Sequence, residues 1–281
     1  KACNSISALA LALAAVFCAA LPGAQAATYS GGSGTEGDPY LVSAAQDLLD
    51  LSNPANSADW DKHFRMTNDI NMNGVTGFAP IAPDTDPVTY GHQGTKFTGV
   101  FDGAGYGVRN IDIDLPGQHG VGLFGSIGTV GAVTDLAILD STVTGEVGVG
   151  LLAGESSGTL TGCSASGTAS GGSLSQGVGL LVGGLKGPCT GCSATGSVSG
   201  RWAVGGLFGG VNAWGGDGSV TNCHAGVTVF AASNGSFAGG LAGLNAGPVE
   251  GCFATGAVWG PNNVGGLIGK NEATVTNCYA T

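Results

Sequence analysis

Charged residues are scarce in this 281-residue sequence: they make up 10% of it, with 8 lysines and arginines against 19 aspartates and glutamates. Nucleic acids and anionic membrane surfaces are bound through clustered Lys and Arg, so this shortage argues against both as partners. Long helices are also excluded, because the chain carries 55 glycines. An apolar content of 43% is nevertheless too high for a disordered chain, which leaves a glycine-rich all-β protein.

The HExxH motif of zinc peptidases is missing as well. The four histidines, His63, His92, His119 and His224, lie in unrelated segments, so no Ser, His and Asp set can be nominated. No catalytic residue is therefore nominated, and we expect a non-catalytic protein. A polysaccharide lyase or hydrolase of the β-helix type remains the enzymatic alternative, since such enzymes carry acids and bases on an outer face.

Residues 1–26 have the pattern of a secretory signal peptide. Lys1 precedes an apolar stretch from about Ile6 to Leu21, and the small residues at positions 24 and 26 suit signal peptidase, so we predict cleavage after Ala26. An uncleaved membrane anchor is the alternative, although the stretch is short for a membrane span. No second apolar span follows, so we expect a secreted or cell-surface protein without membrane insertion after signal removal.

Two short phrases recur at the same interval through residues 117–281. The first has a central leucine, as in VGLLAG and VGGLIG, and the second has a central leucine or cysteine, as in LTGCSAS and VTNCYAT. The central residues of the first phrase are Leu123, Leu152, Leu181, Leu207, Leu241 and Leu267. Those of the second phrase are Leu136, Cys163, Cys192, Cys223, Cys252 and Cys278. Intervals of 26 to 34 residues separate successive members of each series.

Such an interval, filled by short β-permissive phrases between glycine turns, predicts one coil of a three-sided solenoid. One coil cannot bury its inward residues alone, so neighbouring coils must stack at roughly 4.8 Å, leucine on leucine and cysteine on cysteine. We favour a buried ladder of free thiols, with disulfides as the alternative in an oxidising compartment. Cys189, which lies outside the ladder series, is the expected exception.

These phrases resemble the GLUG motif, whose consensus reads like VGGLVG, a polar turn and NCYATG. The resemblance implies an all-β, right-handed parallel β-helix in a bacterial extracellular protein, such as an adhesin or the non-catalytic stalk of a larger secreted peptidase. It further implies adhesion or surface display, with an extracellular glycan or a host or neighbour-cell surface as partner. Residues 117–281 would hold six repeats, the last one incomplete, so we expect further repeats or domains beyond Thr281.

Residues 27–116 are predicted to form an N-terminal cap and the first coils of the β-helix. Tyr40 opens a short strand, and a helix beginning near Ser43 offers Leu48, Leu49 and Leu51 for burial over the first coil. The stretches 64–74, 78–82 and 97–113 are predicted to contain further strands of the same architecture.

Asp69, Asn71 and Asn73 imitate the start of a calcium loop, with oxygen-bearing side chains at alternate positions followed by Gly74. The twelfth position, where a bidentate acid is needed, is Pro80. A polar solenoid turn is therefore the favoured interpretation, calcium is the alternative ligand, and no other cofactor is expected.

Three tryptophans, Trp202, Trp214 and Trp259, lie near predicted turns and are candidates for contact with a sugar or a surface. Trp214 belongs to the longest repeat, within NAWGGDG, an insertion that should form a loop. Insertions on solenoids often carry binding. The alternative is that the loop packs on the neighbouring coil.

Overall fold

The computed structural model describes residues 28–89 and 91–281, so the predicted signal peptide falls outside the described part of the chain. The described residues form an all-β solenoid whose coils pair through parallel strands, with an α-helix at Ala45–Ser52 and a 3-10 helix at Pro54–Asp59. The predicted fold class is confirmed, while its right-handed sense stays a prediction. Among these residues no helix is long and apolar enough to cross a membrane.

Three parallel sheets form the sides of the solenoid. Sheet 1 contains Tyr40–Val42, His63–Met66, Val100–Asp102, Ala132–Thr134, Thr159–Thr161, Cys189–Thr190, Val220–Thr221, Val249–Glu250 and Val275–Thr276. Sheet 2 contains Ile70–Asn71, Gly107–Arg109, Asp112–Asp114, His119–Val121, Ala137–Val149, Ser164–Gly179, Ser193–Gly205, His224–Gly239, Phe253–Ala254, Val258–Trp259, Val264–Gly265 and Tyr279–Ala280. Sheet 3 contains Phe124–Ile127, Ala153–Ser156, Val182–Leu185, Phe208–Val211, Ala242–Asn245 and Ile268–Asn271.

The two residue series seen in the sequence lie in the core between these sheets. The first five leucines of one series and the first five members of the other are at most 1% exposed, whereas Leu267 and Cys278 are half-buried. Backbone hydrogen bonds join successive leucine phrases, for example from Leu152 N to Leu181 O at 3.0 Å. Each coil therefore covers the inward residues of its neighbour, as a stacked repeat requires.

The corner between sheet 1 and sheet 2 uses a single left-handed residue in every repeat. These residues are Asp135, Gly162, Gly191, Asn222, Gly251 and Asn277, with φ between 48° and 65°. Gly, Asn and Asp tolerate this backbone region better than other residues. The corner accounts for the alternation of glycine with Asn or Asp before each ladder position, and it makes Asp135 a turn residue.

The cysteines of the described chain are free thiols. Along the ladder the backbone N–H of one cysteine donates to the sulfur of the next, at 3.4 Å for Cys163 to Cys192 and 3.2 Å for Cys252 to Cys278. Cys189 lies off this ladder in a strand of sheet 1, and its sulfur is 3.9 Å from that of Cys223. The sulfurs thus act as small apolar side chains with weak acceptor capacity.

The N-terminal helix closes the first coils. Its Leu48 and Leu51 are fully buried, and the Asp47 carboxylate caps it by accepting from the backbone N–H groups of Ser43 and Ala44 at 2.8 and 3.0 Å. The strand Ala137–Val149 of the first repeat pairs directly with strands of the preceding region. Sheet 2 is therefore continuous across the predicted boundary between residues 116 and 117.

Candidate functional site

A cleft of about 260 Å³ lies on the outer side of sheet 3, where two loops approach each other. Its lining residues are Gly91, Val147, Gly148, Glu155, Gln176, Gly184, Lys186 and Trp214. One loop, between residues 83 and 96 and described for residues 83–89 and 91–96, comes from the first coils. The other, residues 212–218, is the insertion in the longest repeat. The cleft therefore joins residues that are far apart in the chain.

The loop 83–96 is held at both ends against the first strand of sheet 3. Ile81 bridges Phe124, and Phe97 bridges Ile127. Inside the loop, the Asp84 carboxylate Oδ1 accepts from the backbone N–H groups of residues 86 and 93, at 3.1 and 3.0 Å. Asp84 thus closes the loop through Oδ1, and its Oδ2 takes no part in this closure.

The loop 212–218 is tied to the coil before it. The Asn212 side chain donates to Gly218 O at 2.8 Å and accepts from Gly218 N at 3.2 Å. The backbone N–H of Gly218 also donates to Lys186 O at 3.0 Å. These bonds fix the base of the loop beside Lys186.

The Trp214 indole folds back over a strip of glycines. A methyl group at Gly177 or Gly210 would come within 2.7 Å of the indole, and one at Gly184 within 3.4 Å. The Trp214 residue is nevertheless 40% exposed. The loop therefore packs on the neighbouring coil, as one of the two sequence-based alternatives expects, and still presents an aromatic wall to the cleft.

An ion pair forms part of the cleft floor. Glu155 lies next to Gly184 in sheet 3, and its carboxylate is 2.9 Å from the Lys186 ammonium. The two side chains are only 14% and 21% exposed. A half-buried pair of this kind is oriented and dehydrated, so it presents fixed polar atoms rather than mobile surface charge.

A narrow recess continues from the cleft, with which it shares Gly91, Val147 and Glu155. It has a volume of about 10 Å³, and its other lining residues are Asp84, His92, His119 and Gly120. Burial lowers the pKa of the His92 imidazole, an effect that the nearby carboxylates of Asp84 and Glu155 oppose. Burial therefore favours the neutral form of the imidazole.

The structure brings two of the three candidate tryptophans together. The Trp202 ring is 5.9 Å from that of Trp214 and 5.2 Å from that of Phe237, so it supports the cleft wall from behind. Trp259 instead stacks on Phe230 at 4.6 Å on the outer side of sheet 2. Trp259 therefore belongs to a different surface.

Two residues of the calcium-like turn, Asp69 and Asn71, have side-chain oxygens that accept hydrogen bonds from the protein. Asp69 accepts from Gly107 N at 2.8 Å, and Asn71 accepts from Asn73 N at 3.0 Å and from the Asn110 amide at 2.8 Å. Within residues 28–89 and 91–281, no three His, Cys, Asp or Glu side chains are grouped to hold a metal ion. Calcium at Asp69, Asn71 and Asn73 stays a prediction.

Sequence reasoning missed Asp84, His92, Glu155 and Lys186. Charge was the available signal, because residues 117–281 hold only seven acidic and three basic residues. In a repeat built from uncharged residues, an acid such as Glu155 and a base such as Lys186, about one coil apart, are conspicuous.

Comparison with known proteins agrees with the repeat. Residues 260–281 match the GLUG motif. Halomucin of Haloquadratum walsbyi is 38% identical over 147 residues, which is 50% of this chain and 2% of halomucin. A protein of Evansella cellulosilytica named as a Gly-rich membrane protein is 32% identical over 140 residues, covering 49% of this chain and 15% of that protein. The chain thus spans a small part of the curated relatives it matches.

One solved structure shares the fold over nearly the whole chain. It is the crystal structure of a protein from Bacteroides ovatus that is described as an immunoglobulin A1 protease. The TM-score is 0.67 and the identity 18%, over 90% of this chain and 78% of that one. At this identity the likeness shows the fold alone.

Proposed function

We propose that this GLUG-motif protein is a non-catalytic module of an extracellular or cell-surface protein, and that it binds a saccharide in the cleft beside Trp214. One observation carries the proposal: a partly exposed indole and a half-buried Glu155–Lys186 ion pair face the same cleft. Sugars combine an apolar ring face with hydroxyl groups, so an aromatic wall beside fixed polar atoms is suited to them.

The construction of the cleft supports binding rather than core packing. Both loops that flank it are insertions relative to the coils, and the solenoid below is complete without them. Stable frameworks commonly carry recognition on such loops. The relatives named halomucin and Gly-rich membrane protein fit a surface location for this chain.

Cleavage of a glycan is the second candidate, because the carboxylates of Asp84 and Glu155 both border the recess. Glycosidases use two carboxyl groups in different protonation states. Here one Asp84 oxygen is occupied by two backbone N–H groups and Glu155 is paired with Lys186. Neither acid is arranged as a free proton donor, which favours binding without turnover.

A glycan array probed with the full chain tests the proposal, followed by assays for reducing ends and unsaturated products on every hit. We expect retention of at least one glycan without turnover, and about tenfold or greater weakening in Trp214→Ala. The matched control is Trp259→Ala, which removes an indole of similar exposure from another surface. Equal weakening by both variants, or none by Trp214→Ala, would place the binding elsewhere, and turnover would establish the enzymatic alternative.

A further inference from the structure

The recess at the end of the cleft presents hydrogen-bond acceptors that the protein leaves unused. Asp84 is only 9% exposed, and its Oδ2 has no hydrogen-bond partner among the described residues. Its other oxygen accepts two backbone N–H groups, which holds the carboxylate in place. A buried carboxylate oxygen without a donor is costly, so this oxygen gains from any donor that enters.

The neighbouring imidazole adds to this acceptor character. Neither nitrogen of His92 makes a well-aligned hydrogen bond within the described chain, although the backbone of Thr95 lies beside the ring. A neutral imidazole has one lone pair available to accept. Two different acceptors, from Asp84 and His92, therefore border one small space.

The size of the recess restricts what can enter. Its volume of about 10 Å³ suits one water-sized group. An ammonium group has this size and offers three donors, whereas a hydroxyl offers one. A metal ion is disfavoured, because no three suitable side chains of the described residues are grouped to ligate it.

The charges around the recess also favour an ammonium group. The His92 imidazole interacts electrostatically with the carboxylates of Asp84 and Glu155 and with the Lys96 ammonium, and His119 interacts with Asp86. Lys186 pairs with Glu155, so this set holds three carboxylates and two ammonium groups. One negative charge is left over. A ligand carrying one positive charge complements it, and the Trp214 ring nearby tolerates a cation on its face.

We infer that the cleft selects saccharides with a free amine, with the ammonium group in the recess beside Asp84 and the sugar ring against Trp214. The inference rests on the proposed function and names the ligand class of the same site. A neutral or N-acetylated sugar would bring no positive charge to the Asp84 carboxylate, so it would lose the attraction between opposite charges that an ammonium group adds to the hydrogen bond.

Calorimetric titration of the full chain with three β-1,4-linked pentasaccharides tests this: oligomers of glucosamine, of N-acetylglucosamine and of glucose. We expect the glucosamine oligomer to bind about tenfold tighter than the other two. Asp84→Asn keeps the oxygen that closes the loop but places an N–H donor in the recess, so the preference should disappear. Asp114→Asn is the matched control, because it removes an exposed carboxylate on sheet 2.

The outcomes separate the inference from the proposed function. Equal affinity for all three oligomers overturns the amine preference and leaves saccharide binding intact. A preference that Asp114→Asn reduces as much as Asp84→Asn reflects overall charge and also overturns it. Binding of no glycan by the wild-type chain defeats the proposed function itself. If Asp84→Asn fails to fold, the wild-type series and the control still test the inference: a preference that Asp114→Asn leaves unchanged supports the recess, and equal affinity for the three oligomers or a preference that Asp114→Asn abolishes overturns it.

Discussion

The first coils and the repeats fill the same inward row of sheet 1 with side chains of different size. In register, Phe64 pairs with Phe101 and Phe101 with Val133. The row then continues through Leu160, Cys189, Val220, Val249 and Val275. Rings fill the solenoid at its N-terminal end, and smaller side chains fill it in the repeats.

This difference shows that one architecture can be stabilised in two ways. The rings of Phe64, Phe97, Phe101 and Phe124 contact one another at centroid distances of 4.9 to 6.3 Å, so a few large residues supply the core. The repeats bury many small side chains and bring neighbouring backbones close together. The first region therefore depends on particular side chains, and the second depends on the absence of side chains at its glycines.

The largest effect is expected from truncating the ring at the centre of the first region. Phe64→Ala removes a ring that is 1% exposed and contacts Tyr29, Tyr40, Phe97 and Phe101, so we expect a loss of about 3–5 kcal/mol in unfolding free energy. Urea denaturation measures it, followed by tryptophan fluorescence, to which Trp60, buried in the same region, contributes.

Val220→Ala, in the same row, is the control for that comparison. It removes two buried methyl groups from a repeat, and we expect a loss of about 1–2 kcal/mol. Equal losses from the two variants would contradict the contrast between a first region that depends on particular side chains and repeats that do not.

A smaller effect, of about 1–3 kcal/mol, is expected from adding a single methyl group to a repeat. The Cβ of Gly205→Ala would lie 2.0 Å from Phe208 O and 2.6 Å from Gly243 N, which are backbone atoms that cannot move independently of the sheet. Hydrogen exchange should show faster opening of the strands around Gly205 than in the wild type.

The matched change in the first region is Gly37→Ala. A Cβ at Gly37 meets nothing within 4 Å, so this variant should be neutral or slightly stabilising. A tolerated Gly205→Ala would mean that the coils can separate without cost, contrary to the packing argued for the repeats.

The sequence was sufficient to predict the repeats because each inward position recurs at one coil length. Leu152 and Leu181 stack because they have the same place in consecutive coils, and a period is visible without coordinates. The residues that line the cleft do not recur at this interval. Its two loops are unique insertions, and nothing local in the sequence indicates that residues 83–96 reach Trp214.

For a related reason, the sequence could not show that the tryptophans lie on two different surfaces. Trp202 and Trp259 both lie in strands of sheet 2, yet Trp202 reaches the Trp214 side while Trp259 stacks on Phe230. Which surface a side chain joins depends on its distance from the corner and on local bulges in the strand. Pairing between Gly200 and Trp202 is irregular in register, and such shifts cannot be read from residue type.

The smallest effect is expected at the corner that distinguishes the repeats from the first coils. Gly191 has a φ of 65°, and a Cβ there would have no neighbour closer than Gly162 N at 4.0 Å. The equivalent residue one coil later, Asn222, has a φ of 54°. The Asn222 Oδ1 would lie 2.5 Å from a Cβ at Gly251, so an Asn at position 191 must turn its amide away from Asn222 in the next coil. An exposed amide can turn at little cost, so Gly191→Asn should change the unfolding free energy by no more than about 0.5 kcal/mol. Gly191→Val, which adds a β-branched side chain in the same open space, should cost about 1–2 kcal/mol from the backbone alone. Thermal denaturation of the two variants separates backbone strain from steric contact. A large loss of stability in Gly191→Asn would show that the corner needs glycine itself. The positions of Gly191 and Asn222 would then not be equivalent.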